Sequence, residues 1–154
     1  MKKIMDNIDL KLITALQENA RIPLKSLAEK VYLSSPATAS RIAKLEKDGI
    51  ISGYGARIDL KKVGMPIVAF ISLDLDPKQK PSFYPFIQSH PHVLECNCVT
   101  GRYSQLIKVA FESTEALDTF IGELNAFGHT ETQIAFSNPQ PPRGLGVEKI
   151  FGEE

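Results

Sequence analysis

The hydrophobic period of this chain changes once, near residue 60, and no other feature restricts the fold as much. Before that point apolar residues recur at helical spacing in three short stretches: Ile8, Leu12, Ile13 and Leu16; then Leu24, Leu27, Ala28 and Val31; then Ile42 and Leu45. Beyond it the apolar residues run or alternate as strands over 66–74, 93–99, 105–111 and 130–137. Two modules are therefore expected, 1–60 and 61–154, and 154 residues suffice for two small ones.

The punctuation fits this division. Asp6 can cap a first helix that runs to about Glu18. Pro23 suits the first turn of a second helix, and Tyr32-Leu33 makes a turn. Ser34 is a good cap for a third helix, with Ser35 and Pro36 in its first turn and Gly49 at its end. Two short strands about a glycine turn are expected over 50–58, giving a winged helix-turn-helix. In the second half, 82–89 reads as a short helix interrupted by Pro85. Thr114 is expected to cap a helix with Leu117, Phe120, Ile121, Leu124 and Phe127 on one face, closed by Gly128. The order is βαββαβ, a ferredoxin-like sandwich, so the fold class is α+β. Three prolines and two glycines over 138–146 predict an extended tail.

Net charge is zero, but the halves differ. Residues 1–60 hold 10 Lys/Arg against 7 Asp/Glu, and the remainder 8 against 11. A modest basic excess on a trihelical module suits DNA. A recognition helix enters the major groove N-terminal end first, so its outer face must be polar or small. Ser35, Ala37, Ser40, Arg41 and Lys44 lie away from Ile42 and Leu45. Ser34 and Ser35 can approach phosphates with hydroxyls and helix-end amides. Arg41 suits a guanine edge or a phosphate, and Lys44 a phosphate. Lys25, Lys30 and Arg57 can widen the basic footprint.

The run Asp6-x-x-Asp9, Leu16-Gln17-x-Asn19-Ala20-Arg21, Leu27-Ala28, Leu33-Ser34, Arg41-Ile42-x-x-Leu45-Glu46-x-x-Gly49-Ile50-Ile51-x-Gly53-Tyr54 resembles the Lrp/AsnC (feast/famine) transcription regulators. Ala56-Arg57-Ile58-Asp59, Val63-Gly64 and the Thr100-Gly101 turn extend the resemblance over nearly the whole chain. It implies a winged helix before an amino-acid-sensing sandwich, with Ser34, Ser35, Ala37, Ser40, Arg41 and Lys44 facing operator DNA. Thr38 falls where relatives are apolar and buried. The resemblance also implies an effector pocket at the turn between the second and third sandwich strands, where relatives often read Gly-Asp-Tyr-Asp. Here that turn is Gly101-Arg102-Tyr103-Ser104, with both aspartates replaced. Thr100, Gly101, Arg102, Tyr103, Ser104, Thr130 and Thr132 are the implied effector set. An acid there would hold a ligand ammonium, whereas Arg102 favours a carboxylate. The run from Thr100 to Val109 looks most like the asparagine-responsive branch.

Apolar residues on the first sandwich strand exceed what one sheet face needs, so a homodimer through the sandwich is expected, with an octamer the larger assembly seen among relatives. His90, His92, Cys96 and Cys98 are possible metal ligands, but thiols on one strand face behave as small hydrophobes, and neither a metal nor a cofactor is expected. There is no nucleophile elbow, P-loop or dinucleotide fingerprint, so no enzyme is expected. The alternatives are a DNA-compacting architectural protein or a siroheme-decarboxylase-like relative, for which His90 or His92 would matter. Acidic residues in the opening segment and the absence of a long apolar run predict a cytoplasmic protein with no membrane partner.

Overall fold

The computed structural model describes residues 5–152; Met1–Ile4, part of the segment read for a targeting signal, lie outside them. No helix among the described residues is long and apolar enough to cross a membrane. The chain forms two compact units, residues 57–139 and the segments on either side of them.

The first unit holds α1 (Asn7–Glu18), α2 (Leu24–Val31) and α3 (Ser35–Lys47). The Asp6 carboxylate accepts from Asp9 N–H and the Asp9 carboxylate accepts from Asp6 N–H, a reciprocal box that starts α1. Ser34 caps α3 by accepting from Ala37 N–H at 3.3 Å. The turn before it is made by Tyr32, which adopts a left-handed conformation with φ 57° and is 90% exposed. Thr38 is fully buried and donates its hydroxyl to the Ser34 carbonyl. Two apolar clusters hold the helices together, one around Leu12, Ala15, Leu27 and Val31, the other around Leu10, Ile13 and Leu45.

One expectation for this unit fails. The wing hairpin over 50–58 does not form strands. Ile50 and Ile51 instead donate their N–H groups to the Leu45 carbonyl and pack against the second cluster. So short a hairpin cannot outcompete the closure of a helix end and burial of two isoleucines. The tail over 138–146 forms neither helix nor strand, as expected. Beyond it the chain forms α6 (Val147–Phe151), which packs on α1 and buries Val147 beside Leu10 and Ile13.

The second unit is a four-stranded antiparallel sheet in the order β2-β3-β1-β4. Its strands are β1 (Ile67–Leu75), β2 (Val93–Cys98), β3 (Gln105–Phe111) and β4 (Gly128–Ile134), with α4 (Lys80–Ser89) and α5 (Thr114–Leu124) against one face. This is the expected βαββαβ order. Ala69, Ile71, Leu73 and Leu75 alternate inward against Phe83, Ile87, Leu117, Phe120 and Leu124. Pro85 is accommodated within α4, which is anchored by buried Phe83 and Ile87. The cap of α5 is Ser113 rather than Thr114, because the Ser113 hydroxyl accepts from Ala116 N–H at 3.1 Å. Gly128 opens β4 rather than closing α5, which ends at Leu124 with Asn125 as its cap.

Candidate nucleic-acid interface and ligand site

The outer stripe of α3 is small and polar. Ala37, Ser40 and Lys44 are exposed at helical spacing, and Ser35 is half-buried at the helix start. Ser34 uses its hydroxyl in the cap and remains exposed. Exposed Tyr32 stands two residues before the cap, where its hydroxyl is available to a phosphate. Nothing in a periodicity reading marks it; the left-handed turn that presents it became visible only in the structure.

Arg41 is placed differently from its expected neighbours. Its Nη1 lies 2.8 Å from Asp6 Oδ2 and 2.8 Å from Asp9 Oδ1, so one guanidinium bridges both members of the α1 capping box. Burial alone would raise the Asp6 pKa, but the Asp9 N–H and the Arg41 guanidinium together hold it below its usual value. Near the C-terminal end of α3 the Tyr54 hydroxyl donates to Glu46 Oε1 at 2.7 Å. Burial and the Glu46 carboxylate push the Tyr54 pKa up to about 12. The helix is thus fastened at its middle and near its C-terminal end.

In the second unit, Gly101 turns the chain with φ 110°. The Arg102 guanidinium carbon lies 5.4 Å from the Tyr103 ring centre, and the His129 ring is near-parallel to Tyr103 at 6.3 Å. The Tyr103 hydroxyl meets Glu131, whose carboxylate raises its pKa above the usual phenol value; Asp74 adds in the same direction. Ser104 is bound into the backbone: its N–H donates to the Leu73 carbonyl and its hydroxyl accepts from Leu75 N–H. Thr100 is exposed beside the turn.

Thr130 and Thr132 do not join this group. They pair with Leu73 and Ile71, whose side chains face the helices, and Thr130 donates to Asn125 Oδ1. Residues 129 and 131, one step out of phase, face Tyr103's side of the sheet. β4 is polar at both parities, so its sequence gave no sign of which residues would line the turn.

His90 and His92 lie among phenylalanines. The His92 ring stacks on Phe111 at 4.4 Å, and the His90 ring lies 4.5 Å from Phe120. His92 Nδ1–H donates to the Ala110 carbonyl at 2.8 Å. Burial depresses the His90 pKa and His92 adds to this, against Glu123.

A helix-turn-helix unit followed by a split-βαβ sandwich defines a class of two-module DNA-binding regulators. Residues 5–52 match the family model for winged helix-turn-helix DNA-binding, and residues 68–145 match that for the Lrp/AsnC ligand binding domain. An uncharacterized HTH-type transcriptional regulator of Bacillus subtilis, YezC, is 39% identical over 87% of this chain and 95% of its own length. The B. subtilis regulator LrpC is 30% identical over 92% of this chain and 99% of its own. Its solved structure superposes with a TM-score of 0.86, covering 92% of this chain and all of that one. E. coli AsnC gives a TM-score of 0.83 at 30% identity, covering 93% and 99% of the two chains. The chain belongs to the Lrp/AsnC family of helix-turn-helix transcriptional regulators.

Proposed function

We propose that this chain recognises operator DNA with α3 and senses an amino acid at the Gly101–Ser104 turn. The exposed stripe of Ala37, Ser40 and Lys44 behind the Ser34 cap carries the DNA half. Ser34, Ser35 and Tyr32 contact phosphates at the helix start, Ala37 and Ser40 meet base edges, and Lys44 takes a phosphate. Arg41 braces the helix on α1 instead of reading a base, since both its carboxylate partners lie within the unit itself.

The arrangement of charge around Tyr103 supports a zwitterionic ligand. Arg102 lies on one side as a carboxylate receptor, while Glu131 meets the Tyr103 hydroxyl as an ammonium receptor and the Asp74 charge adds to the acidic field there. The acids that relatives often carry in the turn are thereby supplied from neighbouring strands. The open sheet face, with half-exposed Phe70 flanked by Val68 and Leu106, supports a homodimer. Two copies would present two recognition helices to successive groove turns. The packing of His90 and His92 among aromatic rings favours a regulator over a catalytic relative.

Fluorescence anisotropy with DNA from upstream of the chain's own gene, a scrambled control and a salt series tests the DNA half. Affinity for the native fragment is expected to exceed that for the control and to fall steeply with salt. Equal affinities would favour an architectural role. Lys44→Ala is expected to weaken both fragments alike and reduce the salt slope by about 1. A selective loss for the native fragment would make Lys44 a base contact instead.

For the ligand half, an amino-acid panel added to the operator complex should shift its affinity. Arg102→Ala and Glu131→Gln are each expected to raise the effective ligand concentration by roughly 10- to 100-fold, the value of a charge-assisted hydrogen bond. Operator binding without ligand should be unchanged. An unaltered dose response in both variants would move the ligand elsewhere.

A further inference from the structure

The inner face of the β2 edge carries a pair of thiols that neither DNA binding nor the Tyr103 site uses. Cys96 and Cys98 are both free, and both point to the helix side of β2. Cys96 is half-buried against the core; Cys98 is exposed. Each Sγ–H donates to the same atom, Gln105 Oε1, at 3.6 Å and 3.5 Å. Gln105 Nε2 donates back to Cys98 Sγ at 3.3 Å, and the Tyr84 hydroxyl lies 3.9 Å from the same sulfur.

Gln105 is the observation that makes this more than two cysteines two residues apart. It is 2% exposed, one of the two buried polar side chains among the described residues. A strand position facing a core of Ile71, Leu73, Ile107 and Val109 ordinarily takes an apolar residue. Here a buried amide stands there and is satisfied by the thiols. Oε1 accepts from both thiols, so the buried amide brings the two sulfurs toward one point, and Nε2 is placed to hydrogen-bond a Cys98 thiolate as an outer-shell partner of a bound ion does.

We infer that Cys96 and Cys98 form a site for a soft monovalent d10 cation of the copper(I) type. Two thiolates converging on a common atom can accept a two-coordinate soft ion. On binding, both S–H protons pass to solvent and two sulfur–metal bonds form; no electron is transferred. Gln105 Nε2 then remains hydrogen-bonded to the Cys98 thiolate, and Oε1 faces the cation. Hard cations are excluded because no carboxylate joins the pair, and no set of three histidine, cysteine, aspartate or glutamate side chains forms among the described residues. A tetrahedral zinc centre is excluded on the same ground.

The site lies at the stem of the Tyr103 turn, since β2 leads into the turn and β3 leads out of it, but the inference does not depend on the ligand reading. The test titrates the reduced full-length protein anaerobically with copper(I) held in a competing chelator. Stoichiometry is read from chelator absorbance and from thiolate-to-copper charge-transfer absorption. One copper(I) per chain is expected, with zinc(II) failing to displace it at equal concentration. Cys96→Ser and Cys98→Ser should each weaken binding roughly 100-fold, because a hydroxyl is a poor ligand for a soft ion. Bound copper(I) should also protect both thiols of the unsubstituted protein from iodoacetamide, a measurement that does not rely on a folded variant. Failure to bind, copper(I) retained by the double serine variant, or displacement by zinc(II) would each overturn the assignment.

Discussion

Gly128→Ala is expected to destabilise the second unit by about 3 kcal/mol, the upper end for forcing a methyl into packed structure. Gly128 opens β4 with φ 157°, where side chains other than hydrogen are strained. A β-carbon built there would lie 1.9 Å from the Asp74 carbonyl oxygen. That oxygen belongs to a paired strand, so the clash cannot be relieved by a side-chain rotation. β4 must shift or the β1–β4 pairing must open. His129 and Glu131 follow directly on β4, so their placement beside Tyr103 should be lost with it. Urea denaturation followed by circular dichroism checks the stability, and the amino-acid response of the operator complex checks the site. Gly122→Ala is the matched control. Gly122 lies within α5 with open space around it, and there alanine should stabilise by about 0.5–1 kcal/mol. The same methyl group should thus act with opposite sign at the two positions. A neutral Gly128→Ala would mean that β4 does not hold this register.

Arg41→Ala is expected to destabilise the first unit by about 1–2 kcal/mol and, by loosening α3 from α1, to weaken operator binding. The sign of a second substitution separates bracing from base reading. Asp9→Asn removes a negative charge from the DNA-binding unit while leaving an oxygen able to cap α1. Were Arg41 a base reader held back by its acids, Asp9→Asn would free it and tighten binding. With Arg41 as a brace, Asp9→Asn weakens binding, and the Arg41/Asp9 double variant loses little more than either single one. Anisotropy measurements on the four proteins decide between the two. Acid should act in the same direction on stability. Asp6 has a lowered pKa in the folded chain, so its contribution is complete above the ordinary value of 3.8 and is lost as pH falls through the lowered one.

Much of this architecture was legible in the residues. The capping signals of Asp6 and Ser34 each operate through the backbone three residues away, and such local interactions survive in any tertiary context. The strand at 105–111 was bounded by its own composition, and the βαββαβ order followed from alternating periods. The wing was misread because glycines and β-branched residues describe a hairpin equally well when the chain elsewhere offers Ile50 and Ile51 a better burial site. The proline-rich tail over 138–146 was legible from its composition, which says nothing of Val147 beyond it.

The candidate sites divide along the same line. The sequence by itself determined that α3 would present Ala37, Ser40 and Lys44, because helical spacing fixes which residues share a face. It also determined that Gly101–Ser104 would be a turn, because strand signals stop on either side of it. Only tertiary structure decided that Arg41 would bridge Asp6 and Asp9, positions more than thirty residues away. Only strand pairing decided that His129 and Glu131, rather than Thr130 and Thr132, would share a side with Tyr103. Local periodicity settles which residues lie together within an element. The side of a strand with polar residues on both faces, and the partner of a long charged side chain, are settled by whatever the rest of the fold places opposite.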